Sequence, residues 1–139
     1  MAVVIMYAKP GCVNNNRQHR LLREAGHQVV VRDLLREAWT PERLQRFLAG
    51  LPVRDWFNPS APRVRDGEVR SDSLAPEQAL DLLVREPILI RRPLLEADGV
   101  TMVGFDPEQV DAWLGLSHVP DEDMETCLRP RAGGAEGAS

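Results

Sequence analysis

The sequence predicts one α/β domain in which helices and a helical insert accompany a four-stranded mixed sheet. Two observations carry this prediction: a strand–helix–strand unit within the first 31 residues, and a strand–strand–helix unit near the end. A helical stretch from about residue 40 to residue 86 separates the two units. The length of 139 residues fits one domain of ordinary size.

The first unit begins with Val3–Tyr7, a short apolar run rich in β-branched residues that is typical of a buried strand. A proline–glycine pair interrupts the run, and a helix fits from Val13 to Ala25, with Gly26 just past its end. Val29–Val31 form the next predicted strand. Because one helix joins these two strands, we expect them to be parallel with a right-handed crossover.

The insert begins with a helix at Thr40-Pro41, because a hydroxyl suits the capping position and proline suits the first helical position. Leu51–Phe57 are predicted as a second short helix. Asn58–Gly67 contain two prolines and a glycine, which favours a loop. Another helix is predicted to start at residue 73 or 76 and to stop before Pro87, because a residue preceding proline disfavours helix.

A short apolar strand is predicted at Ile88–Ile90. The last unit then has a strand beginning at Leu94, a turn at Asp98-Gly99 and a partner strand at Thr101–Val103, and these two strands join the two of the first unit in the four-stranded sheet. Asp106 and the proline after it then predict a helix start. This element order predicts an α/β sandwich of thioredoxin type over residues 1–116. Residues 117–139 are acidic and then rich in glycine and alanine, and we expect them to be disordered.

Composition excludes several classes of protein. A net charge of -4 argues against general nucleic-acid binding, which needs a basic face. The apolar runs are only a few residues long, so no membrane span is expected. The two cysteines are too few for a disulfide framework, and the three histidines are scattered, so we predict a cytoplasmic protein without a metal site or cofactor.

Cys12 lies where the first strand gives way to the first helix. The free amides and the dipole at a helix N-terminus stabilise negative charge, so a thiol there loses its proton more easily. The same amides can bind an oxyanion. The alternative, a small buried cysteine that only packs, stays open at this point.

Polar residues surround this position in the sequence. The three asparagines after Val13 suggest capping or polar recognition, although ordinary caps with solvated side chains are the simpler alternative. The Arg92-Pro93 bond lies at a strand junction and could be cis, which would hold backbone beside the cysteine loop. Arg92 would then face an anion near Cys12, unless it is merely a solvated arginine at a strand end.

Three motifs resemble those of the arsenate reductase/Spx family. Tyr7–Cys12 (YAKPGC), followed by a helix, resembles its active-site loop. Glu86–Leu94 (EPILIRRPL) closely resembles its second signature, and Val103–Asp106 (VGFD) resembles its third. The resemblance covers roughly residues 2 to 116 and implies a thioredoxin-like fold with a helical insert.

The resemblance also implies roles for particular residues. Cys12 is the counterpart of the family's nucleophile, Arg92 of its anion-facing arginine and Pro93 of its cis-proline. On the same basis we expect four further residues to take part in binding: Asn14, Asn15, Asn16 and Arg17.

Within the family, the chain looks most like the nitrogenase-associated branch. Four runs carry this similarity: Gly11–Gln18, Val31–Leu35, Trp39-Thr40 and Trp56–Pro62. This resemblance implies a nitrogen-fixation setting without giving a reaction.

The departures from the family pattern are equally informative. Asn15 stands where Spx-type members carry the second cysteine of a Cys-x-x-Cys pair. The family's arginine four residues after the cysteine is Asn16 here, and Arg17 is rotated by about 100° along a helix. Arsenate reductases place three arginines around the oxyanion. By alignment the first falls on Asn58 and the third on Phe105, so one of the three remains.

Three functions follow as hypotheses. The first is an accessory or regulatory protein of nitrogen fixation that binds a nitrogenase-related or regulatory protein. The second is a thiol-dependent reductase of arsenate-reductase type, with glutathione as co-substrate or glutaredoxin as partner. The third is an Spx-like regulator that binds RNA polymerase, which the missing cysteine pair disfavours. Cys127 could resolve an intermediate only if the tail folds back, and we expect it to be an exposed bystander.

Overall fold

The computed structural model describes residues 2–9, 11–120 and 124. Four strands and five α-helices occur in this part of the chain. The strands are β1 (Val3–Ala8), β2 (Gln28–Asp33), β3 (Leu94–Ala97) and β4 (Val100–Val103). The α-helices are α1 (Val13–Glu24), α2 (Pro41–Leu48), α3 (Pro62–Arg65), α4 (Pro76–Arg85) and α5 (Pro107–Leu114). The 3-10 helices are Val53–Trp56, Ser71–Ser73 and Pro87–Leu89.

The four strands form one sheet in the order β2-β1-β3-β4. β1 is parallel to β2, as the helix between them requires, and antiparallel to β3. β4 returns antiparallel to β3 through a tight turn, in which both Asp98 and Gly99 have positive φ. The predicted mixed sheet of thioredoxin type is therefore confirmed.

Alternation along β1 separates two layers of core. Val4 and Met6 are fully buried against α1 and α5, in a cluster that also contains Leu22 of α1. Tyr7 points to the other face, where the insert packs. Its ring lies 5.1 Å from that of Trp39, centre to centre, and the two aromatic side chains join the cluster formed by α2 and α4. The insert thus covers one face of the sheet, and α1 and α5 cover the other.

Three expectations for the insert and its exit are wrong in detail. The strand predicted at Ile88–Ile90 is a 3-10 turn over Pro87–Leu89, followed by one isolated bridge from Ile90 to Phe57. Short apolar runs do not reveal their secondary structure, and here irregular backbone buries Leu89 and Ile90 and partly buries Ile88. The predicted loop contains α3, and the helix predicted at Leu51–Phe57 shrinks to the 3-10 helix Val53–Trp56.

Both predicted helix caps are confirmed. The Thr40 hydroxyl accepts a hydrogen bond from the Arg43 amide at 3.1 Å, and the Asp106 carboxylate accepts one from the Glu108 amide at 3.1 Å. Each satisfies an amide that has no partner within its own helix. None of the helices in the described residues is long and apolar enough to cross a membrane.

Met124 lies within the stretch that was expected to be disordered. It is 3 % exposed and belongs to the same core cluster as Leu22. Its backbone carbonyl accepts a hydrogen bond from the Gln18 side chain. Residues 121–123 and 125–139, including Cys127, lie outside the described residues, so the expectation for them stays a prediction.

The buried His27 ring ties the two ends of the domain together. Its Nδ1 accepts a hydrogen bond from the Ala2 amide at 3.1 Å. The Nε2 atom lies 2.8 Å from the Gly115 carbonyl oxygen, to which it donates in the matching tautomer. One side chain thus satisfies backbone groups that precede β1 and follow α5.

We predict that His27→Ala lowers the free energy of unfolding by about 2 kcal/mol, because two hydrogen bonds are lost and two backbone groups are left unsatisfied. Urea unfolding followed by circular dichroism measures this. His118→Ala, at an exposed histidine, is the matched control and should change little. Equal effects of the two substitutions would contradict the role given to His27.

Candidate active site

Cys12 lies in a tight turn between β1 and α1. The Lys9 carbonyl accepts a hydrogen bond from the Cys12 amide at 3.2 Å, and Gly11 has φ +82°, a conformation that favours glycine. Cys12 is the N-cap residue of α1 and is 4 % exposed. The thiol therefore sits at the N-terminus of a 12-residue helix, an environment that stabilises a thiolate.

The sequence around this turn carries an excess of positive charge. The first 23 residues contain one lysine and three arginines but no carboxylate, although the whole chain carries -4. Burial, together with the nearby positive charge of Arg23, lowers the pKa of His19 below its usual value, so this ring is mainly neutral at pH 7. Lys9 and Arg17 thus place positive charge close to the turn in the sequence, whereas Arg23 lies in the last turn of α1, next to Glu24.

Arg92 and Pro93 lie at the same end of the sheet as the Cys12 turn. Tyr7 of β1 faces Leu94 of β3 in antiparallel register, so the residues just after β1 lie beside those just before β3. The Arg92-Pro93 peptide bond is cis, as expected. The Pro93 carbonyl accepts a hydrogen bond from the Gly104 amide at 2.8 Å, which ties the third motif to the same region.

The Arg92 side chain is buried without full hydrogen bonding. It is 7 % exposed, and its Nε and Nη1 atoms have no hydrogen-bond partner among the described residues. A buried guanidinium with unpaired N–H groups is costly, and an anion is the partner that its planar donor set fits. The alternative of a solvated arginine at a strand end is thus wrong.

Asn58 and Phe105, the two positions where the family resemblance implied arginine, have structural contacts here. Asn58 is buried, and its side-chain oxygen accepts a hydrogen bond from the Ser60 amide at 3.0 Å. Phe105 is buried in the core cluster that contains Leu22. Neither side chain supplies positive charge, so Arg92 alone of the three aligned positions does so.

The binding residues expected on α1 divide into exposed and buried ones. Asn16 is exposed and Arg17 partly exposed, whereas Asn14 and Asn15 are buried. Arg17 donates a hydrogen bond to the Asn14 side-chain oxygen at 3.3 Å. The alternative of solvated caps therefore fits Asn16 and not the two before it. Whether any of these residues binds a ligand stays a prediction.

Sequence reasoning missed Gln18. This glutamine is fully buried, and its side-chain oxygen accepts a hydrogen bond from the Asn15 side-chain amide at 2.8 Å. A signal was available, because Gln18 lies three residues before Leu21 and four before Leu22, on the stripe of α1 that faces the core. A polar residue on such a stripe must find buried partners.

A cavity of about 240 Å³ lies next to the turn, between α1 and the edge strand β2. Its lining combines apolar with polar residues: Met6, Ala8, Lys9, Asn15, Asn16, His19 and Val31. Val13, directly after Cys12, is 63 % exposed. A partner approaching the turn would therefore meet both apolar surface and positive charge.

The mixed sheet, the thiol at the N-terminus of α1 and the cis-proline just before β3 define a protein of the thioredoxin-like fold with one cysteine in its strand–helix turn. The ArsC family model matches residues 12–113. The chain therefore belongs to the ArsC family.

Two relatives show how this chain stands within the family. It is 45% identical over 127 residues, 91% of this chain and 89% of the other, to an uncharacterized 15.7 kDa protein in the draG 3' region of Rhodospirillum rubrum. It is 26% identical over 95 residues, 67% of this chain and 68% of the other, to an arsenate reductase of Synechocystis sp.. The first similarity spans nearly the whole chain and is much the stronger.

Solved structures show the same fold. An ArsC family related protein from Bacteroides fragilis has a TM-score of 0.70 at 25% identity, covering 78% of this chain and 95% of that one. An arsenate reductase from Vibrio cholerae has a TM-score of 0.69 at 24% identity, covering 81% and 98%.

We predict that Arg92→Met raises the free energy of unfolding by about 1–3 kcal/mol, because it removes a buried and incompletely paired charge. Inorganic phosphate should raise the melting temperature of the unmodified protein but not that of Arg92→Met. Thermal and urea unfolding measure both effects.

Arg91→Met is the matched control for this prediction. Arg91 is partly buried, and its side chain donates to the Asp55 carbonyl at 3.3 Å, so its loss should not stabilise the protein. A lower stability of Arg92→Met, together with an unchanged response to phosphate, would show that Arg92 has a purely structural role.

Proposed function

We propose that this ArsC family protein is an accessory protein of nitrogen fixation that acts on a protein partner through the Cys12 thiol. The observation that supports this proposal is that two of the three expected arginines are missing from the site. The Cys12 turn and buried Arg92 are present, while the other two arginine positions hold Asn58 and Phe105, both committed to the fold.

The missing arginines limit how much negative charge on a substrate the site can compensate. A free oxyanion such as arsenate carries up to two negative charges near pH 7, and a site that turns it over must compensate them in a desolvated setting. Arg92 supplies one charge, and the amides at the start of α1 add a fraction of another. A protein partner needs no such compensation, because its own contact surface supplies binding energy.

The surroundings of Cys12 suit such a partner. Val13 is exposed beside the thiol, and the cavity that contains Lys9 and His19 lies along the same helix. Apolar contact area with a positive rim is a usual composition for a protein-binding surface. The expected partner is a nitrogenase-related or regulatory protein.

The biological setting comes from the sequence. The motifs resemble the nitrogenase-associated branch of the family, and the Rhodospirillum rubrum relative is named for its place in the draG 3' region. That relative is itself uncharacterized and supplies no activity. The nitrogen-fixation role is therefore tested through the partner rather than through a reaction.

A thiol reductase of arsenate-reductase type is the second candidate, and the unpaired Nε and Nη1 atoms of Arg92 favour it. In such a reaction the Cys12 thiolate would attack the arsenic of arsenate and form an S–As bond, while a hydroxyl leaves as water. Glutathione would then attack the Cys12 sulfur: the S–As electron pair would stay on arsenic, which leaves as arsenite, and Cys12 and glutathione would form a mixed disulfide that glutaredoxin reduces. These thiols would be external because Asn15 stands where a second cysteine would be. The same position weakens the hypothesis of an Spx-like polymerase regulator, and no contact described above favours it.

We predict that the full chain captures a nitrogenase-related or regulatory protein from nitrogen-fixing cells, and that Cys12→Ser reduces the capture at least several-fold. Affinity purification followed by mass spectrometry, with and without reductant, measures this. Cys127→Ser is the matched control and should retain the capture. Recovery of no such protein, or equal recovery by Cys12→Ser, would contradict the proposal.

A reductase assay separates the two candidates. With arsenate, glutathione and glutaredoxin, we expect turnover at background, because one arginine compensates the oxyanion poorly. Turnover that Cys12→Ser abolishes and Gln45→Ala, at an exposed residue of α2, retains would establish the second candidate instead.

A further inference from the structure

Two buried amide side chains connect the Cys12 turn to Met124. The Lys9 backbone amide donates to the Asn15 side-chain oxygen at 3.0 Å. The Asn15 side-chain nitrogen donates to the Gln18 side-chain oxygen at 2.8 Å, and the Gln18 nitrogen donates to the Met124 carbonyl at 2.5 Å. We call these three hydrogen bonds the amide relay.

The first hydrogen bond of the relay acts on the turn itself. Lys9 is the first residue of that turn, and its carbonyl already accepts from the Cys12 amide. The Lys9 amide, in turn, donates to the Asn15 side-chain oxygen, so both backbone polar groups of Lys9 are hydrogen-bonded. Because Asn15 lies on α1, the relay fixes where the turn begins relative to the helix end that faces the thiol. This contact spans six residues, from Asn15 back to Lys9, and differs from a usual capping box, which reaches the N-cap amide.

The far end of the relay rests on Met124. Gln18 is fully buried, so its amide N–H groups cannot turn to water if an acceptor is lost. The Met124 carbonyl accepts from that nitrogen, and the Met124 side chain packs in the core cluster with Leu21 and Leu22. If Met124 left this seat, Gln18 would lose a partner and the orientation that presents its oxygen to Asn15. Chains of hydrogen bonds of this kind strengthen one another in a low-dielectric interior.

We propose that Asn15 and Gln18 are positioning residues which hold the Cys12 turn in place, and that they do so only while Met124 is seated against α1. The inference rests on the proposed function in taking Cys12 as the working thiol. It adds that the reactivity of this thiol responds to a contact made 112 residues further along the chain. A partner that lifts Met124 would thereby loosen the turn.

The test uses the full chain with Cys127→Ser as the reference, so that Cys12 is the single cysteine. Gln18→Met and Asn15→Leu remove links of the relay while keeping side-chain volume, and Met124→Ala removes the seat. We expect each to slow iodoacetamide alkylation of Cys12 at pH 7 by about 3- to 10-fold, the effect of one lost hydrogen bond. The pH midpoint of alkylation should move upward, because the helix end no longer faces the thiolate as well.

A second readout follows the turn directly. Amide hydrogen exchange of Lys9, measured by NMR, should be slow in the reference and faster in all three variants. Asn15→Asp keeps an oxygen that accepts from the Lys9 amide, so it should retain the slow exchange. If Gln18→Met does not fold, Lys9 exchange in Met124→Ala tests the same link, because this variant keeps the side-chain amides of both Asn15 and Gln18.

Leu22→Ala is the control for a merely structural effect. It enlarges a cavity in the same core cluster and should lower the melting temperature without changing the alkylation midpoint or Lys9 exchange. Equal shifts in Leu22→Ala, or unchanged exchange in Asn15→Leu and Gln18→Met, would overturn the inference. An unreactive Cys12 in the reference would contradict the proposed function alone, and Lys9 exchange would still decide whether the relay holds the turn.

Discussion

β1 pairs with a parallel strand on one side and an antiparallel strand on the other, and both pairings converge on Cys12. The parallel pair requires a helix to cross over directly after β1, which places the N-terminus of α1 at the thiol. The antiparallel pair brings the start of β3, with Arg92 and its cis-proline, to the same end of the sheet. Backbone hydrogen bonding in the sheet thus assembles a thiol, a helix end and a buried guanidinium from segments about 80 residues apart.

The site is positive and incompletely paired, in a chain that is negative overall. The first carboxylate of the chain is Glu24, at the end of α1, and Arg92 is buried with its Nε and Nη1 atoms unpaired among the described residues. In an arsenate-reductase arrangement, this positive charge would bind an oxyanion. Here Asn58 and Phe105 have structural contacts instead. In the amide relay, Asn15 and Gln18 position the turn rather than bind an anion. Hydrogen bonds through Asn15 and Gln18 hold the thiol turn.

The elements that the sequence predicted correctly are those with local signals. The caps at Thr40 and Asp106, the turn at Asp98-Gly99 and the cis bond before Pro93 each depend on residues adjacent in the chain. The failures lie where local signals are ambiguous. Residues 88–90 resemble a strand in sequence because all three are apolar, yet their backbone turns, and Leu89 and Ile90 are buried in the cluster with the insert.

The sequence by itself determined the order of the four sheet strands and the main helices, the thiol at a strand–helix junction and the arginine–proline pair just before β3, because each follows from propensity or from a short motif. Tertiary structure decided the state of Arg92 and the roles of Asn15 and Gln18. Burial and hydrogen-bond partners arise from contacts between distant segments, such as Gln18 with Met124. No pattern among neighbouring residues specifies such a contact, because its energy comes from desolvated groups that meet only after the chain has folded.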